Sequence, residues 1–348
     1  MGIFSKRRRK SSLSPSNALL RWFGPGSTVL GLLYAAYLFL TGGLSFSSLD
    51  QWLGNDKADD FRGEVVSLGN QSERPPDGIR IATFNIENFS VGKADKREEN
   101  SKYGVDVLGT LARVISTFDL VAIQEIRGKH GKAEEALSRL IQLLNASEGT
   151  HTYTGLISEL IGNDDRWESY AFIWDHTRIR FIEGSDYVVL DPGGKMYREP
   201  MVASFEALLP RNSTQRPFRF TLINVHTDPD EVDPNRRDSE INVLADVFQR
   251  VREYEYQNSG EVSIAGDIGT NVSGSKTNDH ILYDRNVTAE YAGRTGVINL
   301  VEAYGLTPEQ AEEVSDHIPL WAEFNHYEKS ALPQTNVATP APRTRLIK

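Results

Sequence analysis

Residues 79–89 read IRIATFNIENF: a β-prone run delivers an amide at Asn85 and further polar groups at Glu87 and Asn88 before closing on Phe89. Such a pattern suits a buried strand whose tip opens into a site. Three more runs end the same way, residues 119–127 (DLVAIQEIR), 220–230 (FTLINVHTDPD) and 262–271 (VSIAGDIGTN). A fifth, residues 315–324 (SDHIPLWAEF), is reversed, with its polar group first. No two are neighbours in sequence, so only a fold that gathers strand ends makes one site of them.

Between these runs strands and helices alternate irregularly. Strands are expected at 80–85, 120–124, 170–175, 187–190, 201–208, 218–225, 262–265, 296–299 and 318–324. Helices are expected at 103–117, 132–145 and 236–256, where Ile241, Leu244, Ala245, Phe248 and Val251 share a face. A short helix is expected to start at Thr307 as N-cap, with Pro308 in its first position. The combination implies a layered α+β domain at residues 78–326.

The flanks have other compositions. Residues 1–26 carry the basic cluster Lys6, Arg7, Arg8, Arg9 and Lys10, and residues 27–46 (STVLGLLYAAYLFLTGGLSF) carry no charge. A bilayer core takes about 20 apolar residues as helix, so 27–46 is expected to be a transmembrane anchor rather than a cleaved signal, whose apolar core is shorter. The positive-inside rule then puts the N-terminus in the cytoplasm and the rest outside it. Residues 47–77 read as a polar linker ending on Pro75-Pro76-Asp77-Gly78, and residues 327–348 as a disordered tail.

The 348-residue chain has no cysteine, so no disulfide supports the domain. Residues 78–326 hold 25 Lys and Arg against 40 Asp and Glu. That balance argues against static nucleic-acid binding, which is driven by phosphate neutralisation, but not against an enzyme with carboxylates around a cation. Asn85 and Glu125 form a hard oxygen pair suited to Mg²⁺. His226 and His317 stand at strand ends, where two imidazoles oriented by carboxylates could serve phosphodiester chemistry as acid and base.

These motifs resemble the endonuclease/exonuclease/phosphatase superfamily, and most closely its deoxyribonuclease I branch. The resemblance spans about residues 79–325. It rests on FNIENF, DLVAIQEIR, Glu168-Ser169-Tyr170-Ala171-Phe172, Arg198-Glu199-Pro200, His226 with Pro229, Gly266-Asp267, Tyr283-Asp284-Arg285, Ala303-Tyr304-Gly305-Leu306 and Ser315-Asp316-His317. It implies a four-layered α/β sandwich, two packed mixed sheets flanked by helices, that hydrolyses nucleic acid, DNA foremost, with Mg²⁺ or Mn²⁺, and Ca²⁺ as a further candidate. Glu125, Asn85 and Asp316 would serve the metal. His226 would pair with Glu168 and His317 with Asp284, while Asp267 would orient the water. Arg127 and Arg198 would contact the phosphate backbone. No protein partner is implied.

The chain departs from the family at Gly266-Asp267-Ile268-Gly269, where the pattern is Gly-Asp-Phe-Asn. Gly269 cannot supply the amide that would donate to the scissile phosphate, and losing one such donor costs roughly 10²–10³ in rate. Asn271 is the nearest substitute. The stretch after Asp267 is also shorter than the family's. Two alternatives therefore stand beside the nuclease reading: a catalytically silent tethered module, and a phosphodiesterase or phosphatase for phospholipid head groups.

Overall fold

The computed structural model describes residues 74–146, 152–162, 167–191, 193–228, 239–255, 261–267, 279–284 and 288–329. All lie in the unit Asp60–Lys348. The expected anchor at 27–46, Gly269 and Asn271 lie outside the described residues. Among the described residues, no helix is long and apolar enough to cross a membrane.

The strands are β1 (Gly78–Phe89), β2 (Leu120–Ile126), β3 (Tyr153–Ile157), β4 (Ser169–Asp175), β5 (Ile179–Phe181), β6 (Tyr187–Val188), β7 (Met201–Ala207), β8 (Arg219–His226), β9 (Glu261–Asp267), β10 (Asp279–Tyr283), β11 (Tyr291–Val297) and β12 (Leu320–Asn325). The helices are α1 (Val91–Ala94), α2 (Val107–Ile115), α3 (Lys132–Ala146), α4 (Glu240–Glu255), α5 (Leu300–Tyr304) and α6 (Pro308–Val314). One sheet runs β11-β12-β1-β2-β4-β3 and the other β10-β9-β8-β7-β5, with β6 beside β7. Each contains one parallel pair, β1 with β2 and β8 with β9.

Strand alternation builds the layers. Ile79, Ile81, Leu120, Ala122, Tyr170, Phe172 and Trp174 from the first sheet meet Phe205, Phe220 and Leu222 from the second in one core. The alternate residues, among them Ala82, Phe84, Val121 and Ile123, pack outward against Leu111 and Val114 of α2 and Leu137 and Leu140 of α3. On the far side α4 buries Ile241, Leu244, Val247, Phe248 and Val251. The result is the expected mixed α/β sandwich with two sheets.

Thr307 caps α6 as expected, in a reciprocal arrangement with Gln310 and with Pro308 next to it. Packing extends past the expected domain ends. Arg74 pairs with Asp119 and Asp175, and Lys329 N–H donates to Glu290.

Toward the carboxyl ends of the two parallel pairs the inner face changes character. Along β1 the series Ile79, Ile81 continues as Thr83, Asn85; along β8 Phe220, Leu222 continues as Asn224, His226. Gln124 Nε2 donates to Asn224 Oδ1 at 2.6 Å, and Asn224 Nδ2 donates to the carbonyls of Ile123 and Ala171 at 3.1 Å each. This buried bridge ties sheet to sheet and satisfies its own polar groups just below the site.

Candidate active site

Strand alternation carries Glu168 to the inner face, since it precedes Tyr170 by two residues. There His226 Nδ1 lies 2.9 Å from Glu168 Oε1, with the carboxylate fully buried. A carboxylate accepts only, so the imidazole hydrogen sits on Nδ1 and Nε2 is the basic nitrogen. The His226 N–H donates to the Tyr170 hydroxyl at 2.9 Å. Burial pushes that hydroxyl well above its ordinary pKa and keeps it protonated.

Alternation alone would send Glu125 outward with Val121 and Ile123. It does not go there, because β2 is irregular at this point against both neighbours: the register slips between Asn85 and Phe89 on one side and between Ile123 and Ile126 on the other. Glu125 itself takes a left-handed backbone, φ 63°. The extra residue returns Ile126 to the outer core and turns Glu125 toward the site. Asn85 Nδ2 donates to Glu125 Oε1 at 3.0 Å and the Asn88 N–H to Oε2 at 2.9 Å; His226 Nε2 is 3.9 Å away. Burial pushes this carboxyl up, but Asn85, His226, the Asn88 N–H and Arg127 outweigh it and hold the pKa below the usual range. Glu87 and Asn88 are left-handed as well, with φ 44° and 50°. Three non-glycine residues in that region within one site mark a backbone shaped for function.

The second histidine comes from the turn before β12. His317 Nδ1 lies 2.8 Å from Asp279 Oδ2, and its Nε2 lies 3.8 Å from Asp316 Oδ1. Ser315 sets this turn: its hydroxyl donates to the Asn85 carbonyl at 2.7 Å and accepts the His317 N–H at 3.0 Å. In the second sheet the register aligns His226 with Asp267, and Asp267 with Asp279, in one row across β8, β9 and β10. The backbone thus sets Asp267 between the carriers of the two imidazole systems.

Two expectations need correction. Asp284 does not pair with His317; it lies past the end of β10 and meets Arg252 Nη1 of α4 at 2.8 Å. Its place is taken by Asp279 at the start of β10, the strand end that shares a row with His226. Arg198, expected on the phosphate backbone, is only 6% exposed, with Nε 2.8 Å from Glu168 Oε2. It braces the His226 carboxylate from behind. Arg127 is half-buried, and its Nε is itself buried without a hydrogen-bond partner among the described residues.

Sequence reasoning missed Asp279 and the role of Ser315. The signal for Asp279 was the strand-like His280-Ile281-Leu282-Tyr283 that follows it, but the Tyr283-Asp284-Arg285 motif pointed one strand length downstream.

The donor set fits a hard divalent cation. Glu125 is ionised and Asn85 adds an amide, whereas Asp316 stands more than half exposed on the lip. Among the described residues no group of three or more His, Asp or Glu could enclose an ion. A cation here would rest on one or two protein oxygens and fill its shell with water and phosphate oxygens, as Mg²⁺ commonly does.

No family model matches the sequence. Deoxyribonuclease-1-like 1 from Homo sapiens is 24% identical over 279 residues, 71% of this chain and 84% of that protein. Deoxyribonuclease-1 from Bos taurus is 24% identical over 282 residues, 70% of this chain and 90% of that protein. Among solved structures, an endonuclease/exonuclease/phosphatase family protein from Bacteroides thetaiotaomicron covers 72% of this chain and 99% of its own, with 14% identity and a TM-score of 0.48. Over about seven-tenths of its length the chain is thus similar to deoxyribonuclease-1 and deoxyribonuclease-1-like 1.

Proposed function

We propose that this chain is a divalent-metal-dependent phosphodiesterase acting on nucleic acid, DNA foremost, with the cation held at Glu125 and Asn85. Mg²⁺ or Mn²⁺ is the first choice and Ca²⁺ the next. The observation that carries the reading is a pair of imidazoles from different elements, each with Nδ1 on a carboxylate, beside a carboxylate kept ionised. The relatives are deoxyribonucleases by name, which supports DNA as substrate.

In the mechanism one Nε2 accepts the proton of the attacking water while the other imidazole, protonated, gives a proton to the leaving oxygen. Glu168 and Asp279 fix the tautomers and stabilise each imidazolium as it forms. Asp267 orients the water, and Arg127 holds the phosphate. The cation, when bound, offsets charge growing on the non-bridging oxygens. A membrane tether at 27–46, with the N-terminus cytoplasmic and the hydrolytic unit outside, belongs to the same reading and rests on the sequence.

The test is nicking of supercoiled plasmid by the full chain in detergent, from about pH 5 to 9, with Mg²⁺, Mn²⁺ or Ca²⁺ and with chelator. RNA, sphingomyelin and a generic phosphate bis-ester run in parallel. No nicking under any condition removes the nucleic-acid reading, and turnover of sphingomyelin alone moves the substrate to phospholipid.

Gly269 favours a second reading, a silent tethered module. Restoring the amide with Gly269→Asn raises the rate of a weakened enzyme, by up to roughly 10²–10³, and His317→Ala abolishes it. If both leave a background trace unchanged, the silent reading holds.

A further inference from the structure

Lys93 is the residue whose position the mechanism above leaves unexplained. It lies on α1, only 8% exposed, in a class of side chain that is almost never fully buried. Its Nζ donates to the Ile86 carbonyl at 3.1 Å and to the Glu87 carbonyl at 2.5 Å, and lies 3.2 Å from Glu87 Oε2. In a trans peptide the C=O and the following N–H lie in one plane and point in opposite directions, and no cis bond occurs among the described residues. The N–H opposite the Ile86 carbonyl belongs to Glu87 and donates to Asn85 Oδ1 at 2.9 Å. The N–H opposite the Glu87 carbonyl belongs to Asn88 and donates to Glu125 Oε2 at 2.9 Å.

One ammonium therefore grips two consecutive peptide units from behind, while their front faces hold the two residues assigned to the cation. Both residues of this turn are left-handed without being glycine, a conformation that L side chains disfavour and that surrounding contacts must enforce. A cation on the carbonyl side also polarises each peptide, strengthening the hydrogen bond its N–H makes on the other side.

We propose that Lys93 is a positioning residue of the cation site, fixing Asn85 and Glu125 through the 86–87 and 87–88 peptide units. The proposal rests on the metal-dependent reading of this site. Burial lowers the Lys93 pKa, with Glu87 opposing it.

Mn²⁺ titration followed by electron paramagnetic resonance, on the full chain and on Lys93→Met, tests it without relying on turnover. Lys93→Met keeps the apolar stem and is expected to raise the Mn²⁺ dissociation constant about 10- to 100-fold, as loss of partners behind metal ligands commonly does. An affinity within twofold of wild type in a folded Lys93→Met protein would overturn the proposal, whatever its melting temperature. Amide hydrogen exchange on the unsubstituted protein covers the case where the variant does not fold. Glu87 and Asn88 N–H groups held as described exchange far more slowly than an open turn, and exchange at the open-turn rate also overturns the proposal. Parallel plasmid assays keep the two readings apart. A Mn²⁺ affinity that falls in a protein that nicks nothing retains the role of Lys93 and removes the nuclease; a wild-type chain that binds no Mn²⁺ removes both.

Discussion

The first sheet buries ionisable side chains at both of its ends. Where β1 and β2 begin, Arg74 bridges Asp119 and Asp175 at 2.8 Å each, and Arg178 Nε lies 2.6 Å from Asp119. Where the same strands end, Asn85, Glu125, Glu168 and His226 gather with Arg198 behind them. At the first end charge faces charge in a closed cluster, and the Asp119 carboxylate also accepts the Arg80 N–H at 2.7 Å. At the second, Glu125 is held ionised by an amide and an N–H, Arg127 Nε has no hydrogen-bond partner among the described residues, and the backbone is left-handed at three positions. A closed ion cluster is costly to break; an ionised carboxylate backed by neutral donors suits a ligand.

Substitutions can break this contrast. His226→Ala should cost the largest share of activity, about 10³-fold within the 10²–10⁴ range of general acid–base groups. Its melting temperature should move only slightly, read by plasmid nicking beside calorimetry. Arg74→Met should do the opposite, lowering stability by about 3 kcal/mol because two buried carboxylates each lose one cationic partner. Activity per folded molecule should be retained, which urea unfolding and a rate normalised to folded protein will check.

A finer separation is available within the site. Asp279→Asn should lower the rate about a hundredfold by upsetting the His317 tautomer, whereas Asp284→Asn should change it by less than about threefold. Equal losses at both positions would return Asp284 to the site and weaken the row across β8, β9 and β10.

The smallest effect concerns pH at the closed end. Although Arg74 touches both aspartates, their carboxyls move in opposite directions. Burial dominates at Asp119 and raises it against Arg178 and Arg74. Asp175 is also pushed up by burial, but the Thr177 hydroxyl and N–H, with Arg74, prevail and lower it. A lowered folded-state value means that the Asp175 contribution is present above the unfolded value, about pH 3.9, and lost as pH falls through the folded one. Thr177→Val removes the 2.6 Å hydroxyl bond to Asp175 and should cost about 1–2 kcal/mol at pH 7, with the difference from wild type shrinking near pH 3. Urea midpoints at the two pH values measure it.

The amino-acid sequence by itself pointed to the inner strands, the Thr307 cap and Asn85, Glu125, His226 and His317 as strand-end candidates, because strand periodicity and cap chemistry are local, whereas Glu168 entered only through the family resemblance. Alternation alone also puts Glu168 and His226 on the inner face. Tertiary structure decided the rest. The side to which Glu125 turns depends on a register slip against two neighbouring strands, and alternation predicts the wrong face. The carboxylate that meets His317 depends on how β10 aligns with β9, which no spacing along the chain encodes. Arg198 and Lys93 look like surface cations in one dimension. Only in the folded sandwich do they become the braces behind Glu168 and behind the turn that holds Glu125.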